Sequence, residues 1–390
     1  MVTDDASRRV TFHLIAADPE FLYKLCFFVY PAPPGTSPTD VTIPLPGTGP
    51  YKISDYTKGK TFALARNPYF KQWSFAAQPD GYPDAIRWLT VADDREAVDA
   101  VNTGRADVAR LVSDQPTGPD LADGLKVRYP TRVKSELRPQ TEYEVLNARI
   151  PPFNNLKARQ AVSYAVNRDK LVELYGGPSV VRATCQMLPP EFPSYSWYCP
   201  YTTGSADGRY HGPDLKKALD LVKASGTTGM PVTIYGADNG VGPIIDAYFK
   251  QVLGQLGYQV TLTEMPDTDS TSGFLQDPHS HIQAQLQGWG ADFPLASNFY
   301  NSILACDSGS NFGEYCDRQL DQRAARATAL EATDPGAALR AWTQIDQIVS
   351  DQAPIVPTVN RFERTFVSAR VGDFQSNQLV GPLLSQLWVK

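Results

Sequence analysis

Val232-Thr-Ile-Tyr235, then Ile244-Ile-Asp-Ala-Tyr-Phe-Lys-Gln-Val-Leu-Gly-Gln-Leu256, then Tyr258-Gln-Val-Thr-Leu-Thr263 is the stretch on which the fold turns. Two short runs rich in β-branched and aromatic residues flank one longer helix-forming run, the pattern of a βαβ unit. Strands joined through a helix lie parallel, and the helix covers one face of their sheet. Ile282 to Gln287 supplies a further strand, so the surrounding region reads as a parallel α/β sheet with flanking helices.

Working outward from this unit, helices are expected at Asn155 to Val166, with Ala158, Ala161, Val162 and Ala165 on one face, at Asp169 to Tyr175, and at Asp214 to Lys223. Downstream, Asp317 and Asp334-Pro335 cap two amphipathic helices before Ile355-Val-Pro-Thr-Val359 returns as a strand. Upstream, Pro151-Pro-Phe-Asn marks a break suited to a hinge. Before it lie a short strand at Val10 to Leu14, a helical turn after Asp18, and a proline-rich connection through Pro46. A hairpin follows from Gly47 through Arg66, then a strand at Asp84 to Val91 and a helix begun by Asp93 with Glu96, before a strand at Asp107 to Leu111.

Composition sets the class. At 390 residues the chain is long enough for two lobes with their own cores, and 42% hydrophobic with 20% charged residues excludes a disordered chain. No stretch approaches the roughly 20 apolar residues of a membrane helix. The net charge of -6, with no basic block, argues against nucleic acid as a partner. Met1 to Arg9 lacks the apolar core of a secretory signal. Cys185 and Cys199 flank a Pro/Tyr-rich loop, and Cys306 and Cys316 flank a Ser/Gly/Asn loop. Both read as segments that a disulfide would staple in an oxidising compartment, leaving Cys26 free, with free thiols as the alternative. Zinc fits less well, because neither pair has CxxC spacing or an adjacent histidine.

Several segments resemble one family. Gly49-Pro-Tyr-Lys-Ile-Ser-Asp-Tyr-Thr-Lys-Gly-Lys-Thr-Phe-Ala-Leu-Ala-Arg-Asn-Pro-Tyr-Phe70 is similar to the signature GPYxLxxWxxGxxIxLxRNPxYW of the solute-binding proteins of ABC transporters, family 5, the oligopeptide/dipeptide/nickel-binding type. Asp93 to Asp107 resembles that family's helix with an xxGxxD turn, and Pro152-Phe-Asn-Asn-Leu-Lys-Ala-Arg-Gln-Ala-Val-Ser-Tyr-Ala-Val-Asn-Arg-Asp169 resembles PFNDxRVRQALxYAIDRD. The resemblance covers about the last two thirds of a typical member.

It implies an α/β, periplasmic-binding-protein-like type II (cluster C) fold, with two α/β lobes joined by a hinge and the N-terminal part of lobe I and the accessory domain missing. Residues 1–47 would be the remnant of the accessory domain, 48–151 and 357–390 the incomplete lobe I, and 152–356 lobe II, with crossings near Pro151 and Val356. The implied function is solute capture for an ABC importer without catalysis, the ligand being a short peptide or similar small polar solute. Permease subunits would be partners, the protein would be a monomer, no cofactor is implied, and the location would be extracytoplasmic, anchored to the membrane through a missing N-terminus. A ligand-sensing receiver domain, or a truncated remnant that binds weakly, is the alternative.

Gly288-Trp-Gly-Ala-Asp-Phe-Pro-Leu-Ala-Ser-Asn-Phe-Tyr300 resembles the family's GWxADYPEPxxFL segment, which implies that Asp292 meets a ligand's α-ammonium group. A carboxylate in a closed cleft is costly until a cation pairs with it, which makes it selective. The alternative is that Asp292 caps the turn before Pro294. Trp289 would offer a flat wall to the ligand or else pack in the core, and Asn298 and Phe299 would close the loop at the site. Arg159 and Arg168 match the helix motif and read as lobe-surface or salt-bridge residues. His279 and His281 form the sole close histidine pair, without a converging carboxylate, so no metal is expected. Signatures of phosphate binding, serine hydrolysis, zincins and dinucleotide binding are absent, and an enzyme reading has nothing positive under it.

Overall fold

The computed structural model describes residues 1–390 apart from 5, 37–43, 77, 112–119, 205–206, 238–239 and 266–281. A hairpin of β1 (Val2–Asp4) and β2 (Arg9–Thr11) leads to α1 (Phe21–Phe28) and to an antiparallel sheet of β3 (Tyr51–Thr57), β4 (Thr61–Arg66) and β5 (Ala85–Trp88). Then come α2 (Asp94–Asn102), β6 (Val108–Leu111), α3 (Asp120–Arg128) and the long β7 (Val133–Leu146). Next are α4 (Leu156–Ala165), α5 (Arg168–Leu174), β8 (Val181–Ala183), α6 (Leu215–Ser225), β9 (Pro231–Ala237), α7 (Gly242–Gln255), β10 (Gln259–Met265) and β11 (Ala284–Gly290). Helices α8 (Ser297–Ile303), α9 (Arg318–Leu330) and α10 (Pro335–Gln352) precede β12 (Ile355–Val367), after which four two-residue strands pair locally near the C-terminus.

Local chemistry explains where the helices begin. Asp93 accepts from the Glu96 amide at 2.8 Å while Glu96 Oε2 accepts from the Ala92 amide at 2.8 Å, a near-reciprocal cap for α2. Asp317 caps α9 through the amides of Gln319 and Leu320, and Asp334 caps α10 through Ala337 with proline at the first helical position. Helix α6 stops at Gly226, whose φ of 72° suits the left-handed C-terminal turn. The βαβ unit forms as the sequence indicates: β9 and β10 are parallel over Pro231–Ala237, and α7 covers them with Ile245, Phe249, Val252 and Leu253.

The main sheet runs β10-β9-β11-β7-β12-β6, with β8 also on β12. Two long strands organise it. β7 spans 14 residues, roughly 45 Å at strand rise, and β12 pairs antiparallel along it from Ile355↔Val145 to Phe366↔Val133. One half of β12 pairs with β8 at Val359 to Arg361; the other pairs with β6 at Arg364 to Val367. The register shifts between Pro357 and Val359 and again between Asn360 and Phe362, so the ribbon is irregular midway. The Asn360 amide braces that point, donating to Gln140 O at 3.1 Å and Thr141 Oγ1 at 2.9 Å.

Two packed bodies share this ribbon. The larger holds two adjoining cores, one around α4, α7 and the βαβ strands, the other around α8, α9, α10 and Phe192. The smaller centres on α2, β6 and Phe366. Pro151 lies in the turn before α4, and Val356 pairs with Glu144 inside the larger body. The strand expected at Ile355 to Val359 thus continues to Val367, while those at Val10 to Leu14 and Asp84 to Val91 are shorter than expected.

The two motif arginines are buried, and among the described residues neither forms a salt bridge. Arg168 is fully buried and donates to the carbonyls of Thr184, Pro357 and Ser163, and Arg159 donates to those of Gln352 and Phe153. Burial holds both guanidinium pKa values below the ordinary range. Arg159 thus ties α4 to the end of α10, and Arg168 ties the start of α5 to β12.

Candidate functional site

Strand β11 ends where β7 crosses from one body to the other. Its register places Gly288 opposite Glu142, Trp289 opposite Thr141 and Gly290 opposite Gln140, and the Ala291 amide extends the pairing by donating to Pro139 O at 2.8 Å. A Cβ at Gly288 would stand 2.8 Å from Glu142 Oε2, so a larger residue there would displace the Glu142 carboxylate.

The loop after β11 is organised by Asn298. Its Oδ1 accepts from the Asp292 amide at 3.0 Å and from Trp289 Nε1 at 3.2 Å, while its Nδ2 donates to Asp292 Oδ2 at 3.0 Å. Asn298 is buried, whereas Asp292 and Trp289 are half-buried. Three of the four residues singled out from sequence therefore meet at one point, with Asn298 setting the direction of the other two. The turn-cap alternative differs in detail, since the Asp292 carboxylate takes its bond from a side-chain amide. Phe299 lies apart, completely enclosed in the core with its ring 5.3 Å from that of Phe192. Its position offers a ligand no surface.

Helix α1 sits against this loop, with Tyr23 stacked on Phe293 at 6.3 Å. Lys24 pairs with Asp18 at 2.9 Å and with buried Glu20 at 3.0 Å. Burial and the nearby Glu20 push the Glu331 carboxyl up to about 7.

Below the loop opens a cleft of about 470 Å³, lined by Arg138, Gln140 and Glu142 of β7, by Gly288, and by Arg361 to Arg364 of β12, closed off by Leu111 and Val180. The volume is within the range of small-molecule sites. Glu142 accepts from Arg361 Nε at 2.7 Å and Gln140 Nε2 at 2.7 Å, and the Arg361 guanidinium lies over the ring of buried Tyr175. Glu363 accepts from Arg110 Nε at 2.6 Å and meets Arg138 Nε at 3.6 Å. None of these charged residues was singled out from sequence. A signal was present, because Glu136, Arg138, Gln140 and Glu142 recur at every second position, the spacing of one polar strand face.

Cys185 is bonded to Cys199, with Cα atoms 5.1 Å apart, and Cys306 to Cys316, at 4.5 Å; Cys26 is free and exposed. The second bridge closes the turn between α8 and α9, inside which Asn311 Nδ2 donates to the carbonyls of Leu304, Ala305 and Tyr315. Among the described residues no group of three His, Cys, Asp or Glu side chains could hold a metal ion. His279 and His281 lie outside them. No helix among the described residues is long and apolar enough to cross a membrane.

Solved structures define the class. Clavulanic acid biosynthesis oligopeptide binding protein 2 superposes with a TM-score of 0.74 at 20% identity, covering 88% of this chain and 63% of that one. The periplasmic binding protein DppA from Helicobacter pylori, in complex with the peptide STSA, gives 0.67 at 19% identity over 88% and 63%. OppA of Haemophilus influenzae, in complex with RPPGFSPFR, gives 0.65 at 20% over 88% and 64%. The fold is that of the type II periplasmic binding proteins. By sequence the chain belongs to the bacterial extracellular solute-binding proteins, family 5 Middle, whose signature matches residues 1–311. It is 26% identical over 329 residues to the glutathione-binding protein GsiB of Escherichia coli (strain K12), covering 80% of this chain and 58% of that protein. The same protein of Salmonella typhi is 25% identical over 329 residues with the same coverage, so the chain spans 58% of the length of these curated relatives.

Proposed function

We propose that this protein is the solute-binding component of an ABC importer, taking a short peptide or a similarly sized polar solute between its two bodies and catalysing nothing. The observation that carries this reading is the cleft at the middle of the β7–β12 ribbon, where a polar cavity of about 470 Å³ opens at the joint between two separately cored bodies. A joint of this kind closes by small backbone changes at strand irregularities, and ligand held from both sides stabilises the closed state. The peptide complexes of structurally similar proteins support a peptide as the solute.

In this reading Asp292 accepts the ligand's ammonium group, Asn298 aims it, and Trp289 supplies an adjacent apolar wall. The bodies divide as residues 48–151 with 357–390 against 152–356, residues 1–47 forming an accessory segment, and the long strands carry the chain across. The protein acts outside the cytoplasm, as a monomer, and delivers to permease subunits.

Calorimetry with a tripeptide and its N-acetylated form tests the reading. The free-amine peptide should bind, and Asp292→Asn should weaken it by about 2–4 kcal/mol while hardly changing the acetylated form. Equal losses for both would remove Asp292 from the site, and no binding by peptides of two to five residues would overturn the function.

A further inference from the structure

We propose that helix α1 is a strap over the loop that carries Asp292, docked on the larger body by a carboxyl pair between Glu20 and Glu331 and released when that pair loses its shared proton. The inference goes beyond the solute reading, and its test needs no solute.

Helix α1 lies on the larger body without sinking into it. None of its side chains is buried, and Leu22 and Phe28 are 70% and 63% exposed. Tyr23 stacks on Phe293, the residue next to Asp292, which sets α1 against the loop. An element with so little apolar burial stands at the low end of local stability, where one polar contact decides whether it stays in place.

Glu20, at the start of α1, makes that contact. Its side chain is 1% exposed; Oε2 meets the Lys24 ammonium at 3.0 Å, and Oε1 is buried with no hydrogen-bond donor among the described residues. Glu331 comes within hydrogen-bond range of it from the C-terminal end of α9, while Glu331 Oε1 accepts from Trp342 Nε1 of α10 at 3.0 Å. Two carboxyls this close hold together only with a proton between them, and a protonated Glu331 is the donor that Glu20 Oε1 lacks.

The charges around the pair favour that proton. Facing Glu331 are Glu20 and Lys24 from the α1 segment and the Trp342 indole from α10. Lys24 is shared with Asp18 at 2.9 Å, so three carboxyls have one cation among them. Glu331 also caps the end of α9, where the helix dipole disfavours a negative charge. Burial first, and then Glu20, raise its carboxyl from the ordinary 4.5 to about 7. The docked state therefore holds a proton that the released state gives up. Docking is complete below 4.5 and weakens as pH rises to about 7, by up to about tenfold per pH unit, with solvent screening reducing that slope. Above that range Glu331 is ionised and the donor is gone.

Hydrogen exchange on the full chain, corrected for the intrinsic pH dependence of amide exchange, tests the strap. The amides of Phe21–Phe28 should be about tenfold or more better protected at pH 5 than at pH 8, and those of Ala291, Asp292 and Phe293 should follow them, with Tyr51–Arg66 as the reference that does not. Glu331→Gln, whose amide donates at either pH, should keep α1 protected at both. Glu331→Ala, which removes the donor, should leave α1 poorly protected at both. Equal protection of α1 at the two pH values in the unaltered protein, a pH response that survives in Glu331→Gln, or a loop that does not follow α1 would overturn the proposal.

Discussion

Phe299 and Phe75 are the same residue in opposite conditions: the first is completely enclosed in the larger body, and the second is 79% exposed in the segment between β4 and β5. The contrast extends to their surroundings. Around Phe299 the helices α8, α9 and α10 close on one another with Trp342, Tyr300 and Ile345 between them. In the first part of the chain, among the described residues, no apolar side chain is buried before Ala97, and Leu22, Phe28, Tyr69 and Trp73 are exposed alongside Phe75. The β3–β4–β5 sheet is held to the rest by contacts such as the Tyr82 amide to Ser385 O at 2.9 Å and Gln386 Nε2 to Asp80 O at 3.2 Å. A regular ladder of backbone hydrogen bonds does not make a cooperative unit without apolar burial behind it.

Three experiments can break or sharpen this contrast. The largest effect is expected from core truncation. Phe299→Ala should destabilise the larger body by about 3–5 kcal/mol in urea denaturation, while Phe75→Ala should stay within about 0.5 kcal/mol. Similar losses for the two would mean that the early segment has a core of its own. Next comes reduction of the bridges, both of which lie in the larger body. Removing either pair by Cys→Ala substitution should cost about 3 kcal/mol in the chain-entropy model. Hydrogen exchange should then accelerate in Val232–Tyr235 and remain as it was in Tyr51–Arg66; acceleration in both would show one cooperative unit.

The smallest effect is a pH slope. Burial pushes the carboxyl of Asp346 up to about 7, against hydrogen bonds it accepts from Gln186 Nε2 at 2.7 Å and the Leu188 amide at 3.3 Å. The folded state then holds a proton that the unfolded chain gives up near its ordinary value of 3.8, so this contribution is complete below that value and is lost as pH rises to about 7. Across that window it changes by up to about 1.4 kcal/mol per pH unit. Asp346→Asn, which cannot titrate, should flatten the larger body's stability between pH 4 and 7 by about that slope, and an unchanged profile would place the proton elsewhere.

Much of the architecture was legible because it depends on local chemistry. The caps at Asp93, Asp317 and Asp334 and the βαβ unit follow from short-range patterns, and the motif around Asp292 falls at the carboxyl end of β11. The length of β7 and β12 was not legible, for a physical reason: where the strands cross between bodies their residues face a polar cleft, and Arg138, Glu142, Arg361 and Glu363 interrupt the apolar runs by which strands are recognised. The same residues line the cleft, so the feature that hid the strands also hid the candidate site. Arg159 and Arg168 were misread because a buried arginine satisfied by carbonyls looks, in sequence, like any arginine on a helix. Phe299 fits an aromatic next to a site, and its burial depends on Phe192, more than a hundred positions upstream.

The pairing of β6 with β12 has a consequence for how the chain emerges during synthesis. Arg110 of β6 and its partner Glu363 are separated by 253 positions, and Phe366, which completes the core against α2 and β6, comes later still. At roughly 5–20 residues per second, translation needs on the order of 13–50 s to supply that partner after β6 has left the ribosome. The larger body can assemble almost entirely in that interval, while the edge of Val108–Leu111 waits open to any passing strand. A strand made late is thus the one that closes a strand made early.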